Sequence, residues 1–229
     1  MAETIAVIGA GPGLGLAVAR RFGREGFRVA LVARSAQRLR AFAAELAAEG
    51  IEATAFPADI TRSEGLADRI GQIDILEYAP AGPDWMSRQT DVRECGPGSF
   101  EFPLDLLLRT PAGLVRDVLP GMLARGRGAV LFGLGATGST PYPQLANLAA
   151  VSAAARCYLQ CLHASLAGTG VFAGLLQVNG MVGGSDSARA AAEKWGPEAL
   201  PEPTDPADLA EAMWQLYRAG DRFETVVPR

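Results

Sequence analysis

Near the N-terminus the chain reads Gly9-Ala-Gly11-Pro-Gly13-Leu-Gly15, directly after the apolar run Thr4–Ile8. Glycines in such a turn permit positive φ and let the backbone come close to a ligand. The helix expected to begin at Leu14 adds free N–H groups and the positive end of its dipole, which together suit a pyrophosphate. The common G-x-G-x-x-G spacing fails here, because its third glycine falls on Leu14. The spacing that fits is G-x-x-x-G-x-G, on Gly9, Gly13 and Gly15. A tight strand-to-helix turn with no ligand is the plainer alternative, and the strand–helix–strand pattern that follows favours phosphate binding. Pro12 removes one N–H from the loop.

Two other groupings invite chemistry and do not sustain it. Cys157, Cys161 and His163 resemble metal ligands. On a helix the two cysteines share a face, whereas His163 lies about 200° around from Cys161. No metal is expected there, and buried thiols with a satisfied histidine are the plain reading. Asp84, Asp91, Glu94 and Glu101 are spread over a segment rich in Gly and Pro and read as a solvated face.

The elements that must position these residues alternate regularly. Strands are predicted at 4–8, 29–33, 51–57, 73–78, 129–133, 171–176 and near 223–227. Helices are predicted from Leu14 toward Gly26, from the cap Ser35 to Gly50, over about 63–71, 104–124 and 144–167, and from about Asp205. Leu14, Val18 and Phe22, then Leu39, Phe42 and Leu46, give two of these helices an apolar face. The second strand, Val29–Ala33, lacks polar alternation, as a strand covered on both faces does. Strands alternating with helices throughout indicate an α/β fold. It is a single domain with a doubly wound parallel sheet of about seven strands and helices on both faces. Residues 183–203 read as a mobile segment hinged at Gly183 and Gly184, with a short helix over Ala188–Trp195.

Composition excludes several classes. With 229 residues, 49% hydrophobic and 20% charged, the chain is ordinary globular material. Twenty-one Lys and Arg against 25 Asp and Glu leave a net charge of −4. That offers no basic field for nucleic acid or an anionic membrane. Three cysteines and no visible signal peptide point to a reduced, cytoplasmic setting. Between Ala129 and Ser185 the only formal charge is Arg156. Prolines on one side and glycines on the other are expected to break that stretch before it forms an apolar helix of about 20 residues.

The glycine spacing resembles that of the short-chain dehydrogenase/reductase family, which has a Rossmann-type fold, and the resemblance runs essentially the full length. Asp59-Ile60-Thr61 resembles the family's Asp-Leu/Val-Thr, whose Asp contacts adenine. Leu119-Pro120-Gly121-Met122 resembles its helix-four motif, and Gly180 its turn after strand six. The resemblance implies a dinucleotide held by Gly9, Gly11, Gly13, Leu14, Gly15, Arg34, Ser35, Asp59 and Ile60. After strand two an acid would hold the ribose of NAD, whereas arginine pairs with the 2′-phosphate of NADP. Ala33-Arg34-Ser35, with Arg38 one turn on and no acid nearby in sequence, points to NADP(H). A merely solvated Arg34 is the alternative.

Where the family keeps its chemistry, this chain departs. Aligned motifs place Leu107, Gly135, Leu148 and Ser152 at the positions of the family's Asn, Ser, Tyr and Lys. Leu148 has no proton to give, and Ser152 no charge with which to lower a neighbour's pKa. Tyr142, Ser139 and Tyr78 are the candidate substitutes, each with a packing, turn or lid role as the alternative. The resulting expectation is an NADP(H)-dependent oxidoreductase acting on a small carbonyl or alcohol by a non-standard mechanism. The alternatives are a non-catalytic NADP(H)-binding regulatory or partner subunit, or a non-redox enzyme. By the same resemblance, helices 104–124 and 144–167 form a homodimer or homotetramer interface, and 183–203 a substrate lid.

Overall fold

The computed structural model describes residues 2–62 and 64–228. Seven parallel strands lie in the order β3-β2-β1-β4-β5-β6-β7. They are β1 Thr4–Ile8, β2 Arg28–Ala33, β3 Ala53–Pro57, β4 Ile75–Tyr78, β5 Gly128–Gly135, β6 Val171–Val178 and β7 Glu224–Val227. Helices α1 Leu14–Arg24, α2 Ala36–Ala48 and α9 Pro206–Ala219 cover one face. The other carries α3 Leu66–Ile70, α6 Thr110–Arg125 and α7 Ala146–Ser165. Two short helices, α4 Asp84–Ser87 and α5 Glu101–Leu104, follow β4, and α8 Asp186–Trp195 follows β6. This is the single doubly wound α/β domain that the alternating pattern predicts. The chain crosses over between β3 and β4, so the cleft at the carboxyl ends of β1 and β4 is the place for a ligand.

The two faces are packed differently. Under α1 and α9, Phe22, Phe27, Trp214 and Tyr217 form an aromatic cluster, with Phe22 edge-on to Trp214 at 5.0 Å between centroids. On the far face the core is Leu76, Tyr78 and Phe132 under Leu114, Met122, Ala155 and Leu159. Helix starts follow their capping residues. Ser35 accepts a hydrogen bond from Arg38 N, and Asp205 from Ala207 N ahead of Pro206.

Several expectations need correcting. The helix expected over 104–124 is interrupted: α5 runs into a π-helical turn, Asp105–Arg109, before α6 begins. The expected start of the helix at 63 lies outside the described residues, and α3 begins at Leu66. No proline or glycine breaks α7. With the turn before it, Pro143–Ser165 makes 23 helical residues with a mean hydropathy of 1.2, long and apolar enough to cross a membrane. Here Val151, Ala155 and Leu159 are instead buried in the domain core, against the sheet. Its Cys157 and Cys161 are exposed rather than buried. His163 points Nδ1 at Ala173 O, 2.7 Å away.

Glu77 is the anomaly of the core. It lies on β4 between Val7 of β1 and Leu131 of β5, fully buried, and neither carboxylate oxygen has a hydrogen-bond partner among the described residues. Burial pushes its carboxyl up to about 8.

Candidate functional site

Backbone hydrogen bonds fix the glycine loop on the sheet. Gly9 N and Ala10 N both donate to Val32 O, at 2.9 and 3.0 Å, tying the end of β1 to β2. Gly9 has a φ of +96°, and a Cβ there would lie 2.6 Å from Pro80 Cα. The first glycine is therefore required by the close pass of the β4 loop. Gly15 is equally tight, since its Cβ would stand 3.0 Å from Ala10 Cα. Gly13 faces Val182 and Ser185, which enter from the segment after β6.

Beside this loop opens a cleft of about 570 Å³. Gly9, Gly11, Arg34, Ser35, Asp59 and Ile60 line it, so six of the nine residues named for the dinucleotide meet in one place. The other three stand apart from its lining: Gly13 is covered by Ser185, Leu14 is buried in the core, and Gly15 backs onto the loop. Thr61 donates its hydroxyl (2.8 Å) and its amide (3.1 Å) to Asp59. These bonds, with the charges of Arg34 and Arg62, hold the Asp59 carboxyl below its usual range.

Acids do approach the arginines, contrary to the expectation of none nearby. Asp84, read as part of a solvated loop, starts α4 and lies 3.3 Å from Arg34. Asp186 lies 2.8 Å from Arg38. Sequence reasoning missed the residues around them. Trp85 donates its indole N–H to Ser187 Oγ (3.1 Å), and Ser187 in turn donates to Ala81 O (3.2 Å). Together with Arg189 and Glu193, they bring α8 against the cleft as a wall. A Trp beside an acid in a Gly/Pro-rich loop was the available signal.

The four tetrad positions carry no titratable group into this cleft. Leu148 and Ser152 are buried, and a Cβ on Gly138 would stand 2.8 Å from the Ser152 backbone, so the turn after β5 is pressed onto α7 there. Leu107 sits in the π-helical turn and packs on the core. Such a turn leaves carbonyls without their helical partner, and Tyr78 donates its hydroxyl to one of them, Leu106 O. Tyr78 is thus a core residue tilted against Phe132, with burial raising its pKa far above the ordinary phenol value. With its ring buried and its hydroxyl given to Leu106 O, it presents no proton to the cleft.

The two remaining candidates lie elsewhere. Tyr142 is 49% exposed and lines a separate cavity of about 470 Å³, with Val92, Thr137, Pro141 and the alanines of α7. No residue lines both spaces. Ser139 is exposed beside it, closing the 3₁₀ turn through its amide to Ala136 O. Asn147, which sequence reasoning passed over, is fully buried and holds the 88–99 loop. It accepts from Thr90 N and donates to Arg88 O and Ser99 O at 2.8–3.0 Å. Among the described residues no group of three or more His, Cys, Asp or Glu is placed to hold a metal ion.

The sequence and the fold were compared with known proteins. The family model described as short chain dehydrogenase matches residues 3–194. A short chain dehydrogenase of Pseudocercospora fijiensis is 32% identical over 179 residues, which is 74% of this chain and 56% of that protein. The chain spans 17% of the length of another relative, a glycine betaine reductase of Emericella nidulans that is 29% identical over 93% of the chain. Among solved structures, a short-chain dehydrogenase from Sphingobium yanoikuyae in complex with NADPH is 26% identical, with a TM-score of 0.82 over 99% of this chain and 88% of that one. A short chain oxidoreductase from Pseudomonas aeruginosa with an atypical catalytic center shares the fold at a TM-score of 0.83 and 20% identity, over 98% and 95%. Glycine spacing, strand order and these matches agree: the chain belongs to the short chain dehydrogenase family.

Proposed function

We propose that this chain binds NADP(H) in the 570 Å³ cleft and acts as a nucleotide-binding regulatory or partner subunit, not as a self-sufficient carbonyl reductase. The observation that carries this reading is the set Leu107, Gly135, Leu148 and Ser152. Carbonyl reduction needs a proton at the oxygen as hydride arrives, and a positioned acid contributes about 10²–10⁴-fold. None of these four supplies one. Arg34 and Arg38 line the cleft beside Ser35, where a 2′-phosphate would be bound. When bound, the dinucleotide would bring a hydride to transfer. The chain's own residues hold its adenosine end: Asp59 and Ile60 at the base, and Arg34 at the phosphate. The NADPH bound in the Sphingobium yanoikuyae structure, 26% identical to this chain, supports the choice of cofactor.

Arg34→Ala is expected to weaken NADPH binding about 10- to 100-fold and to change NADH binding less than about threefold. Isothermal titration calorimetry of both nucleotides on both proteins checks this. Equal loss for the two would remove Arg34 from the 2′-phosphate.

A second reading keeps oxidoreductase activity on a small carbonyl or alcohol, with the proton drawn from water or Tyr142. Membership of the short chain dehydrogenase family favours it. NADPH oxidation over a carbonyl panel tests it, and a loss of at least 10-fold in Tyr142→Phe would assign the proton to that phenol. A rate unchanged in Tyr142→Phe assigns the proton to water.

The same reading includes a homodimer or homotetramer built on 104–124 and 144–167. One exposed stripe of α7 consists of Ala150, Ala154, Cys157 and Cys161, small side chains that let two helices approach closely. Sedimentation showing a monomer at micromolar concentration would remove the assembly.

A further inference from the structure

The cleft proposed for NADP(H) is spanned by the chain's own carboxylates. Arg38, in the first turn of α2, pairs with Asp186, the first residue of α8. Arg34, at the end of β2, pairs with Asp84, the first residue of α4. Each arginine best placed for a 2′-phosphate therefore already has an acid partner from the opposite wall, and Asp186 divides its two oxygens between Arg38 and Arg189 of its own helix. Counted over the lining, Arg34, Arg38 and Arg189 face Asp59, Asp84, Asp186 and Glu193. The lining's own charges give the cleft no net positive charge.

The wall that carries Asp186 is fastened. Ser187 is buried and joins α8 to α4 and the β4 loop, through the Trp85 indole and Ala81 O. Ala191 is fully buried behind it. At the other end Ser185 and Val182 stand against Gly13, over the start of α1 where a pyrophosphate would approach. Val182 is in turn bridged to Thr204. The helix start thus faces this segment and Arg38 is paired with it, while Arg34 pairs with α4.

We propose that α8 is an electrostatic latch in which Asp186 stands in for the nucleotide's 2′-phosphate, making Asp186 a determinant of nucleotide entry and of the balance between NADP(H) and NAD(H). This inference rests on the dinucleotide reading of the cleft. A 2′-phosphate carries more charge than one carboxylate and competes for the same guanidinium, so it displaces Asp186 and frees α8 from α2. A nucleotide without that phosphate has nothing to offer Arg38 in exchange. NADP(H) must therefore break the Arg38–Asp186 pair to bind, whereas NAD(H), which makes no claim on Arg38, leaves it in place.

The pair is partly exposed, and such pairs are worth little individually, so the effect is moderate. Asp186→Asn is expected to raise affinity for 2′,5′-ADP about three- to tenfold and for 5′-AMP about twofold or less, measured by calorimetry at low salt. Raising the salt should erase the difference between Asp186→Asn and the wild type, because it screens the latch. In the ligand-free protein, amide exchange over 185–195 should quicken in Asp186→Asn. It should also quicken in Trp85→Phe, which removes the indole bond but no charge. Measurable and equal 2′,5′-ADP binding by wild type and Asp186→Asn overturns the latch and leaves the dinucleotide reading standing. No binding of NADPH, NADH or 2′,5′-ADP by either protein overturns both.

Discussion

Glu77→Leu is expected to stabilise the fold by roughly 3–5 kcal/mol at pH 8, and by much less at pH 5. The side chain is fully buried on β4, both oxygens lack partners among the described residues, and burial raises its carboxyl to about 8. In the unfolded chain the same group loses its proton near 4.5. Between those two values the unfolded state holds fewer protons than the folded one. Stability therefore falls as pH rises across this window, at about 1.4 kcal/mol per pH unit. Below it the group is neutral in both states and its contribution is fully present; above it the loss is complete. Leucine removes the titration, so the variant's stability loses this slope. Urea unfolding of both proteins at pH 5 and 8 checks the prediction. A gain of the same size at both values would mean that Glu77 is not held protonated by the core.

Gly9→Ala is expected to cost roughly 3 kcal/mol or more and to abolish measurable NADPH binding. Two effects add at this position. The φ of +96° is strained for any residue with a side chain, and the new Cβ would meet Pro80 Cα at 2.6 Å. The nearby atoms are backbone and ring, so relief requires the β4 loop to move, and that loop lines the cleft and carries Ala81 O. Gly11→Ala is the control. Its Cβ would find only Gly9 O, at 3.7 Å, and its φ is not positive. Less than about 1 kcal/mol is expected there. Similar losses in the two variants would mean that the loop tolerates neither side chain for a reason other than the Pro80 contact.

The alternation of apolar strands with helices of 3.6-residue periodicity made the α/β architecture legible, because burial on both faces leaves the parallel strands without polar alternation. The glycine loop was legible for a related reason: glycine at a strand-to-helix turn marks a backbone constraint, and the Pro80 contact supplies it. What stayed hidden depends on long-range packing. Nothing local marks Glu77 as unpartnered, although an acid inside Ile75–Tyr78 was a visible irregularity. Asp84 looked like loop charge because its partner Arg34 is fifty positions away. Tyr78 looked catalytic from its place after β4, but the π-helical turn at 105–109, which no propensity signals, offers its hydroxyl a carbonyl inside the core. Tyr142 was a candidate proton donor, but the turn after β5 carries it to a different cavity.

Calorimetric titration of the purified chain with NADPH, and with NADH in parallel, bears most directly on the claim that the cleft is a dinucleotide site selected by Arg34. NADPH is expected to bind in the micromolar range and more tightly than NADH, with no oxidation of the bound nucleotide when simple ketones or aldehydes are added. Absence of binding by either nucleotide would contradict the claim and leave a short chain dehydrogenase fold used without its cofactor.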